Sequence, residues 1–276
     1  MSGTGLFRRL FRRQPPPAGP RPRLVLNEAP AVIYAIGDVH GCLEELQALE
    51  SRIIRDAEAI AVSKLIVMLG DYVDRGPASA AVLDHLTAPW PDGFERICLA
   101  GNHDQMMLDF IAEPAGSPGW LDYGGRETLS SYGIGDAELH HANLGSRRFG
   151  YLLAAHIPED HLQFLARLPA AVSIVDMLFV HGAIAGDERI DYLEDEALLW
   201  ERSKPARSRQ GGPALIVHGH VPRPQVEMIE QHVFVDTGAY QTGVLSALKI
   251  TPGRPLSVLT TVADTAVEIG FITGRN

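Results

Sequence analysis

Lys64-Leu65-Ile66-Val67-Met68-Leu69-Gly70-Asp71-Tyr72-Val73-Asp74-Arg75-Gly76 runs an apolar segment straight into a turn carrying two aspartates and an arginine. The first six residues read as a buried strand. Ending such a strand in two carboxylates is costly unless the charge is compensated, and buried charges are normally paired or bound to a metal. Gly70 and Gly76 permit a sharp turn and close approach of a ligand. Taken alone, the stretch reads equally well as a polar turn whose aspartates cap the next helix.

The arrangement recurs on both sides. Residues 31–36 read as a strand that ends in Gly37-Asp38-Val39-His40-Gly41, and Leu43, Leu46, Leu49, Ile53 and Ile54 follow at helical spacing. Pro77 suits the first turn of a helix reaching about Thr87. Residues 96–100 form a third predicted strand, ending in Gly101-Asn102-His103-Asp104. Asp38 and Asp71 are 33 residues apart, and Asp71 and Asn102 are 31 apart. A βαβ unit takes about 30 residues. Three parallel strands would thus deliver three polar motifs to one sheet edge, where open α/β sheets bind ligands. The predicted class is α/β.

Residues 105–111 and 156–168 read as helices, and Pro89 to Gly93 as a loop. Trp120 to Leu129, with Gly124-Gly125 beside aromatic residues, reads as a lid or as plain helical packing. From residue 172 the pattern turns to strands. Residues 177–180 lead into His181-Gly182, 215–217 into His218-Gly219-His220, and 233–235 into Asp236. Leu198 to Arg202 follows an acidic stretch, residues 203–212 read as a basic surface loop, and residues 244–250 and 256–262 are strand-like.

Asp38, His40, Asp71, Asp74, Arg75, Asn102, His103, His181 and His220 all follow predicted strands. Carboxylates, imidazoles and an amide suit manganese, iron or zinc. Asp38 and His40 point the same way on an extended backbone. Asp71 can bridge two ions, and Asn102, His181 and His220 can complete the second. Two such ions activate a water and clamp an in-line displacement at phosphorus. His103 is the candidate proton donor and Asp74 its orienting carboxylate. Arg75 and Arg202 would hold phosphate oxygens, with Asn102 and His103 also facing the substrate. His85, His140, His141, His156, His161 and His232 fall outside the pattern, and His218 reads as packing. Asp236 reads as a turn-former or as a partner of a ligand imidazole, and Asp104 as a support for the site or an early helix residue.

The chain has 276 residues, 46% hydrophobic and 21% charged, enough for one large domain or two small ones. No apolar run is long enough for a transmembrane helix, and no secretory pattern opens the chain. Residues 1–23 hold six arginines and no acid, leaving 18 basic and 34 acidic side chains on the rest. That acidic body argues against nucleic acid as a partner and fits the gathering of divalent cations. Cys42 and Cys98 are scattered, which points to a reducing compartment and a cytoplasmic protein. Residues 1–30 are expected to form a basic, then proline-rich tail, and 31–276 the catalytic domain. Leu6 to Arg13 could give weak contact with an anionic membrane surface, but so short a segment is no stable helix in water, which favours a disordered tail.

Gly37-Asp38-Val39-His40-Gly41, Gly70 to Gly76 and Gly101-Asn102-His103-Asp104 together resemble the three signature motifs of the PPP family of serine/threonine phosphoprotein phosphatases. His181-Gly182 and Gly219-His220 resemble its remaining ligand positions. Leu198 to Arg202 and Trp120 to Gly133 resemble segments of its bacterial and lambda-phage branch. The resemblance implies the calcineurin-like metallophosphoesterase fold, with two mixed β-sheets packed face to face and flanked by helices. It implies two divalent metal ions, most often assayed as manganese, and direct attack by a metal-bound water without a phosphoenzyme. Asp38, His40 and Asp71 would serve one metal, and Asp71, Asn102, His181 and His220 the other. Tyr123, Val221 and the order Gly182-Ala183 depart from the family's usual residues without touching a metal ligand, so they bear on the substrate pocket. The expected activity is a phosphomonoesterase acting on a phosphoprotein or small phosphorylated substrate. The same fold admits a diadenosine tetraphosphate hydrolase. An inactive binding module should have lost ligands or His103, and all are present here.

Overall fold

The computed structural model describes residues 19–60, 63–90, 93–140, 142–185, 192–206, 212–262 and 267–270. Twelve strands among them form two mixed six-stranded sheets. In chain order the strands are β1 (Arg23–Leu26), β2 (Val32–Ile36), β3 (Lys64–Met68), β4 (Phe94–Cys98), β5 (Ala171–Ile174), β6 (Met177–Val180), β7 (Leu215–His218), β8 (Glu227–Ile229), β9 (His232–Phe234), β10 (Ser246–Ile250), β11 (Leu256–Thr260) and β12 (Val267–Gly270). One sheet runs β12-β11-β10-β2-β3-β4 and the other β1-β5-β6-β7-β9-β8.

Strands β2, β3 and β4 are parallel and in register, Ile36 against Met68 and Met68 against Cys98. The helix α1 (Leu43–Asp56) crosses from β2 to β3, and α2 (Ser79–Thr87) from β3 to β4. A parallel sheet needs such crossovers and is covered on both faces. The strand sequences obey this, because successive side chains alternate between two cores. Val32, Tyr34, Ile36, Ile66 and Met68 face the helical core. Ile33, Ala35, Leu65, Val67 and Leu69 face a second core filled from the opposite sheet by Val172, Phe179, Leu215, Val217 and Val233. The two sheets thus sandwich one apolar layer.

The region between β4 and β5 is helical: α3 (Asn102–Ala112), a 3-10 helix (Pro118–Tyr123), α4 (Gly125–Ser131), α5 (Asp136–His140), α6 (Arg147–His156) and α7 (Glu159–Arg167). The predicted single helix over 156–168 is instead the end of α6 and the whole of α7. Pro158 has no N–H to continue a helix and stands as the N-cap of α7. Helix α3 starts at Asn102, ahead of the predicted 105, so Asn102 and His103 lie in its first turn. Two short helices, α8 (Asp195–Trp200) and α9 (Ala239–Thr242), complete the set.

The predicted boundary at residue 31 is corrected. Arg23–Leu26 is a strand that pairs in parallel with β5. Arg21 is buried, and its guanidinium donates to the carbonyls of Leu165 and Leu168 at 3.0 Å each and to Gln105 Oε1 at 2.6 Å. Those carbonyls end α7, where a cation suits the negative end of the helix. The folded body therefore reaches back past residue 30. The readings of Leu6 to Arg13 as tether or tail lie outside the described residues, as do residues 207–211 of the predicted basic loop. No helix among the described residues is long and apolar enough to cross a membrane.

Candidate active site

The nine collected residues do converge, along with Arg202. Asp38 and His40 follow β2, Asp71 to Arg75 follow β3, Asn102 and His103 follow β4, His181 follows β6, and His220 follows β7. Because β2, β3 and β4 are parallel, and β6 and β7 likewise, each strand leaves its polar residues at its carboxyl end. Asp38, His40, Asp71, Asp74, Asn102, His103, His181 and His220 are all buried. Five site residues hold left-handed backbone: His40 (φ 43°), Asp71 (54°), Asp74 (74°), Arg75 (68°) and His220 (62°). Such angles are disfavoured for residues with a Cβ, and they cluster at functional sites where the surroundings enforce them.

Asp71 is the centre. Its Oδ2 lies 3.4 Å from His40 Nε2 and 3.5 Å from His181 Nε2. Among the described residues it belongs to both three-residue groups whose atoms could hold a metal ion, one with His40 and His103, the other with His181 and His220. Two carbonyls fix the ring orientations. His40 Nδ1 donates to Val73 O and His181 Nδ1 to Leu69 O, each at 2.8 Å. Both Nε2 atoms therefore turn inward. His181 Nε2 is 3.0 Å from Asn102 Oδ1. The extended backbone expected through Asp38 and His40 does not hold, since His40 is left-handed (φ 43°), and Asp38 lies beside the second group: its Oδ1 is 3.9 Å from His181 Nδ1, and its oxygens accept the His220 backbone N–H at 3.2 and 3.1 Å.

The donor set fits a divalent cation. His181 Nε2, Asn102 Oδ1 and Asp71 Oδ2 are three acceptors crowded together, which a cation or an extra proton must reconcile. Burial works against charge on His181, yet Asp71 and Asp38 outweigh it and push the imidazole up to about 10. Burial, and then Asp236, push the Asp38 carboxyl well above its ordinary range. Burial also raises Asp71, but His181, His103 and His40 more than reverse this and hold it well below. Burial pushes His40 and His220 down to about 3, leaving both neutral and able to ligate.

The Asp74–His103 pair adjoins this cluster, the His103 backbone N–H donating to Asp71 Oδ1 at 2.9 Å. His103 Nδ1 donates to Asp74 Oδ2 at 2.7 Å. Arg75 Nη2 then meets His103 Nε2, and Arg75 Nη1 meets His40 Nε2, both at 2.9 Å. Arg202 Nε donates to His220 Nε2 at 2.9 Å. Arg75 reaches the site from the end of β3, and Arg202 from a segment bridged to Ala183 beyond β6. Beside Arg75 opens a cleft of about 570 Å³, lined by Leu121, Asp122, Tyr123, Arg126, Glu127 and Tyr240.

Asp104, read from the sequence as a support for the site or an early helix residue, is both, whereas Tyr240 and the bonds of Trp120 and Thr128 to Asp74 had no signal there. Asp104 accepts the backbone N–H groups of Gly101, Asp71 and Tyr72. Tyr240 lies under Arg75, with the guanidinium carbon 4.8 Å from the ring centre. Trp120 and Thr128 reach Asp74. Asp236 accepts from Gly238 N at 2.8 Å, as a turn-former does. His218 bonds the carbonyl of Gly182, next to His181, and stacks on His232. His85 and His161 bond carboxylates elsewhere, and His156 bonds the Tyr132 carbonyl. His141 and the His140 side chain lie outside what is described.

Comparison with known proteins agrees with this geometry. Residues 31–244 match the family model for calcineurin-like phosphoesterases. The chain is 27% identical over 230 residues to serine/threonine-protein phosphatase 2 of Escherichia coli (strain K12), covering 79% of this chain and 92% of that one. It is 23% identical over 249 residues to the bis(5'-nucleosyl)-tetraphosphatase PrpE [asymmetrical] of Anoxybacillus flavithermus, covering 82% and 94%. Among solved structures, a cold-active protein-tyrosine phosphatase of a psychrophilic Shewanella shares the fold, with TM-score 0.62, 18% identity and coverage of 89% of this chain and 81% of that one.

Proposed function

The chain belongs to the calcineurin-like phosphoesterase family, and from that premise we propose that it removes phosphate from serine and threonine side chains of phosphoproteins. The observation that carries this reading is the buried His103–Asp74 pair, joined at 2.7 Å. A serine or threonine alkoxide is a poor leaving group and needs a proton as the P–O bond breaks. The leaving phosphate of an anhydride needs one far less. A dedicated, carboxylate-anchored imidazole therefore fits an ester substrate.

Asp38, His40 and Asp71 would hold one divalent cation, and Asp71, Asn102, His181 and His220 a second, with manganese the proposed ion. When bound, the pair supplies a nucleophile at neutral pH and positive charge for in-line displacement at phosphorus. Arg75 and Arg202 bind the phosphoryl oxygens, each guanidinium offering two parallel donors. Asn102 and His103 face the same group from the start of α3. Once Arg75 turns from His103 Nε2 onto the phosphoryl oxygens, His103 can carry a proton on Nε2 and give it to the departing serine or threonine oxygen. His103 keeps its Nδ1 proton, donated to Asp74 throughout, and the carboxylate stabilises the imidazolium before transfer. The phosphoprotein is the proposed partner. The free Cys42 and Cys98 suit a reducing compartment, in keeping with a cytoplasmic protein.

A second reading is a dinucleoside polyphosphate hydrolase. Tyr123 and Tyr240 in the cleft beside Arg75 favour it, since aromatic walls can stack a base. Initial rates with manganese on a phosphoserine peptide and on diadenosine tetraphosphate, with metal content measured on the same sample, decide between them. A higher kcat/KM for the peptide supports the proposal, and the reverse order replaces it with the second reading. Turnover of neither substrate, nor of p-nitrophenyl phosphate, would mark an inactive binding module.

A further inference from the structure

We infer that Trp120 and Thr128 are positioning residues for the proton donor, acting by fixing the Asp74 carboxylate against which His103 is held. The inference rests on the reading of His103 as proton donor.

Asp74 is fully buried and its carboxylate accepts three hydrogen bonds. Oδ2 takes His103 Nδ1 at 2.7 Å and Trp120 Nε1 at 2.8 Å, and Oδ1 takes the Thr128 hydroxyl at 2.7 Å. The Thr128 oxygen in turn accepts the Asp74 backbone N–H at 2.8 Å. With a single proton to give, the hydroxyl donates to the carboxylate and accepts from the amide of the same residue. This closes a ring on an aspartate whose backbone is left-handed (φ 74°). The terminal torsion of aspartate is broad and roughly two-fold when nothing restrains it. Trp120 and Thr128 select the orientation that leaves one Oδ2 lone pair for His103.

The two residues sit on a rigid support. Trp120 is 1% exposed and packs on Phe110, with ring centroids 4.8 Å apart. A Cβ on Gly125 would meet Trp120 ring carbons at 2.5–2.8 Å, and one on Gly124 would collide with the Arg75 backbone nitrogen. Gly124 O also accepts from Arg75 N at 3.3 Å. The glycine pair is thus what lets the 3-10 helix and α4 close onto Asp74 and Arg75. The segment is a brace that buries one face, with Trp120, Leu121, Gly125, Thr128 and Leu129, rather than a lid.

The test compares Trp120→Phe, Thr128→Val, Thr128→Ser and His103→Asn in the full chain. Each is assayed with manganese on a phosphoserine peptide and on p-nitrophenyl phosphate, whose leaving group needs little protonation. Proton NMR of the metal-free proteins follows the His103 Nδ1 signal. Trp120→Phe and Thr128→Val should lose roughly 10-fold more kcat on the peptide than on p-nitrophenyl phosphate, a fraction of the 10²–10⁴ typical of a general acid. Thr128→Ser should restore the parent ratio, and the Nδ1 proton should exchange faster in Thr128→Val than in the parent. Equal losses on both substrates, or an unaltered Nδ1 proton, would overturn the inference. So would a selective loss in His103→Asn with none in the Trp120 and Thr128 variants. If His103→Asn itself is unselective, the proton-donor reading fails and takes this inference with it. Should Trp120→Phe not fold, the Val and Ser variants of Thr128 decide alone.

Discussion

Asp104 Oδ2 accepts the backbone N–H of Asp71 at 3.0 Å. The same oxygen takes Gly101 N at 2.9 Å, and Oδ1 takes Tyr72 N at 3.0 Å. One carboxylate from the first turn of α3 thus ties the end of β3 to the end of β4, and it holds Asp71 at φ 54°. The metal-bridging geometry proposed for Asp71 depends on that backbone.

Asp104→Ala leaves three buried N–H groups without an acceptor. At the usual cost of unsatisfied buried donors, the expected loss of stability is about 3–5 kcal/mol. Urea unfolding measures it, and turnover should fall in the folded fraction too. A variant as stable as the parent would show that water or a neighbour replaces the carboxylate, and that Asp104 does not hold Asp71.

Metal content separates the proposed ligands from the residues behind them. Asn102→Ala and His220→Ala should each weaken binding of one ion by more than the roughly 10–100-fold typical of losing a residue behind a ligand. Asp71→Asn should weaken both, because Asp71 belongs to both groups. Titration of the chelated protein with manganese, followed by elemental analysis, reads this directly. If Asp71→Asn lost no more than one ion, the shared carboxylate would be the wrong arrangement.

The site was legible where a polar motif is contiguous with the strand that delivers it. Asp38, Asp71 and Asn102 each follow an apolar run by a few residues, so strand and ligand were read in one window. The residues that brace them were not. Trp120 and Thr128 reach Asp74 from 46 and 54 residues away, and β1 pairs with a strand almost 150 residues later. Arg23-Leu24-Val25-Leu26 is also short, follows prolines, and exposes Val25, so it shows no alternation that marks a strand. Strand β4 begins two residues before its predicted start, because Phe94 pairs with Lys64 although charged residues follow it. Local pattern carries periodicity, whereas these contacts depend on the closed chain.

The early strand changes what a truncation should do. From sequence alone, deletion of residues 2–28 is expected to be harmless. It would in fact remove β1, the Arg21 cap on α7, and the bonds of Arg21 N and Arg23 to Asp195 in the first turn of α8. The deleted chain should melt well below the full chain, by about 4–8 °C for each kcal/mol lost if the body behaves as a small domain and roughly half that if as a larger one. A truncation beginning at Gly19 keeps every described contact and should melt with the parent. Equal melting of both truncations would show that β1 contributes nothing to the body.

Helix α8 leads directly to Arg202, which gives the last prediction. Ala183 N donates to Glu201 O at 2.7 Å, and Ser203 N donates to Ala183 O at 2.9 Å, so the segment carrying Arg202 is stitched to the one that follows His181. Arg202 Nε then donates to His220 Nε2 at 2.9 Å. With the His220 lone pair given to a cation, the guanidinium on this fixed segment can turn two parallel donors to the phosphoryl oxygens, which an ammonium cannot do. Arg202→Ala should therefore lower kcat/KM by roughly 10²-fold, in line with removal of one transition-state donor. It should also weaken inhibition by inorganic phosphate. Arg202→Lys should recover little of either. Full recovery with lysine would mean that a point charge suffices and that the planar fork is not what the site uses.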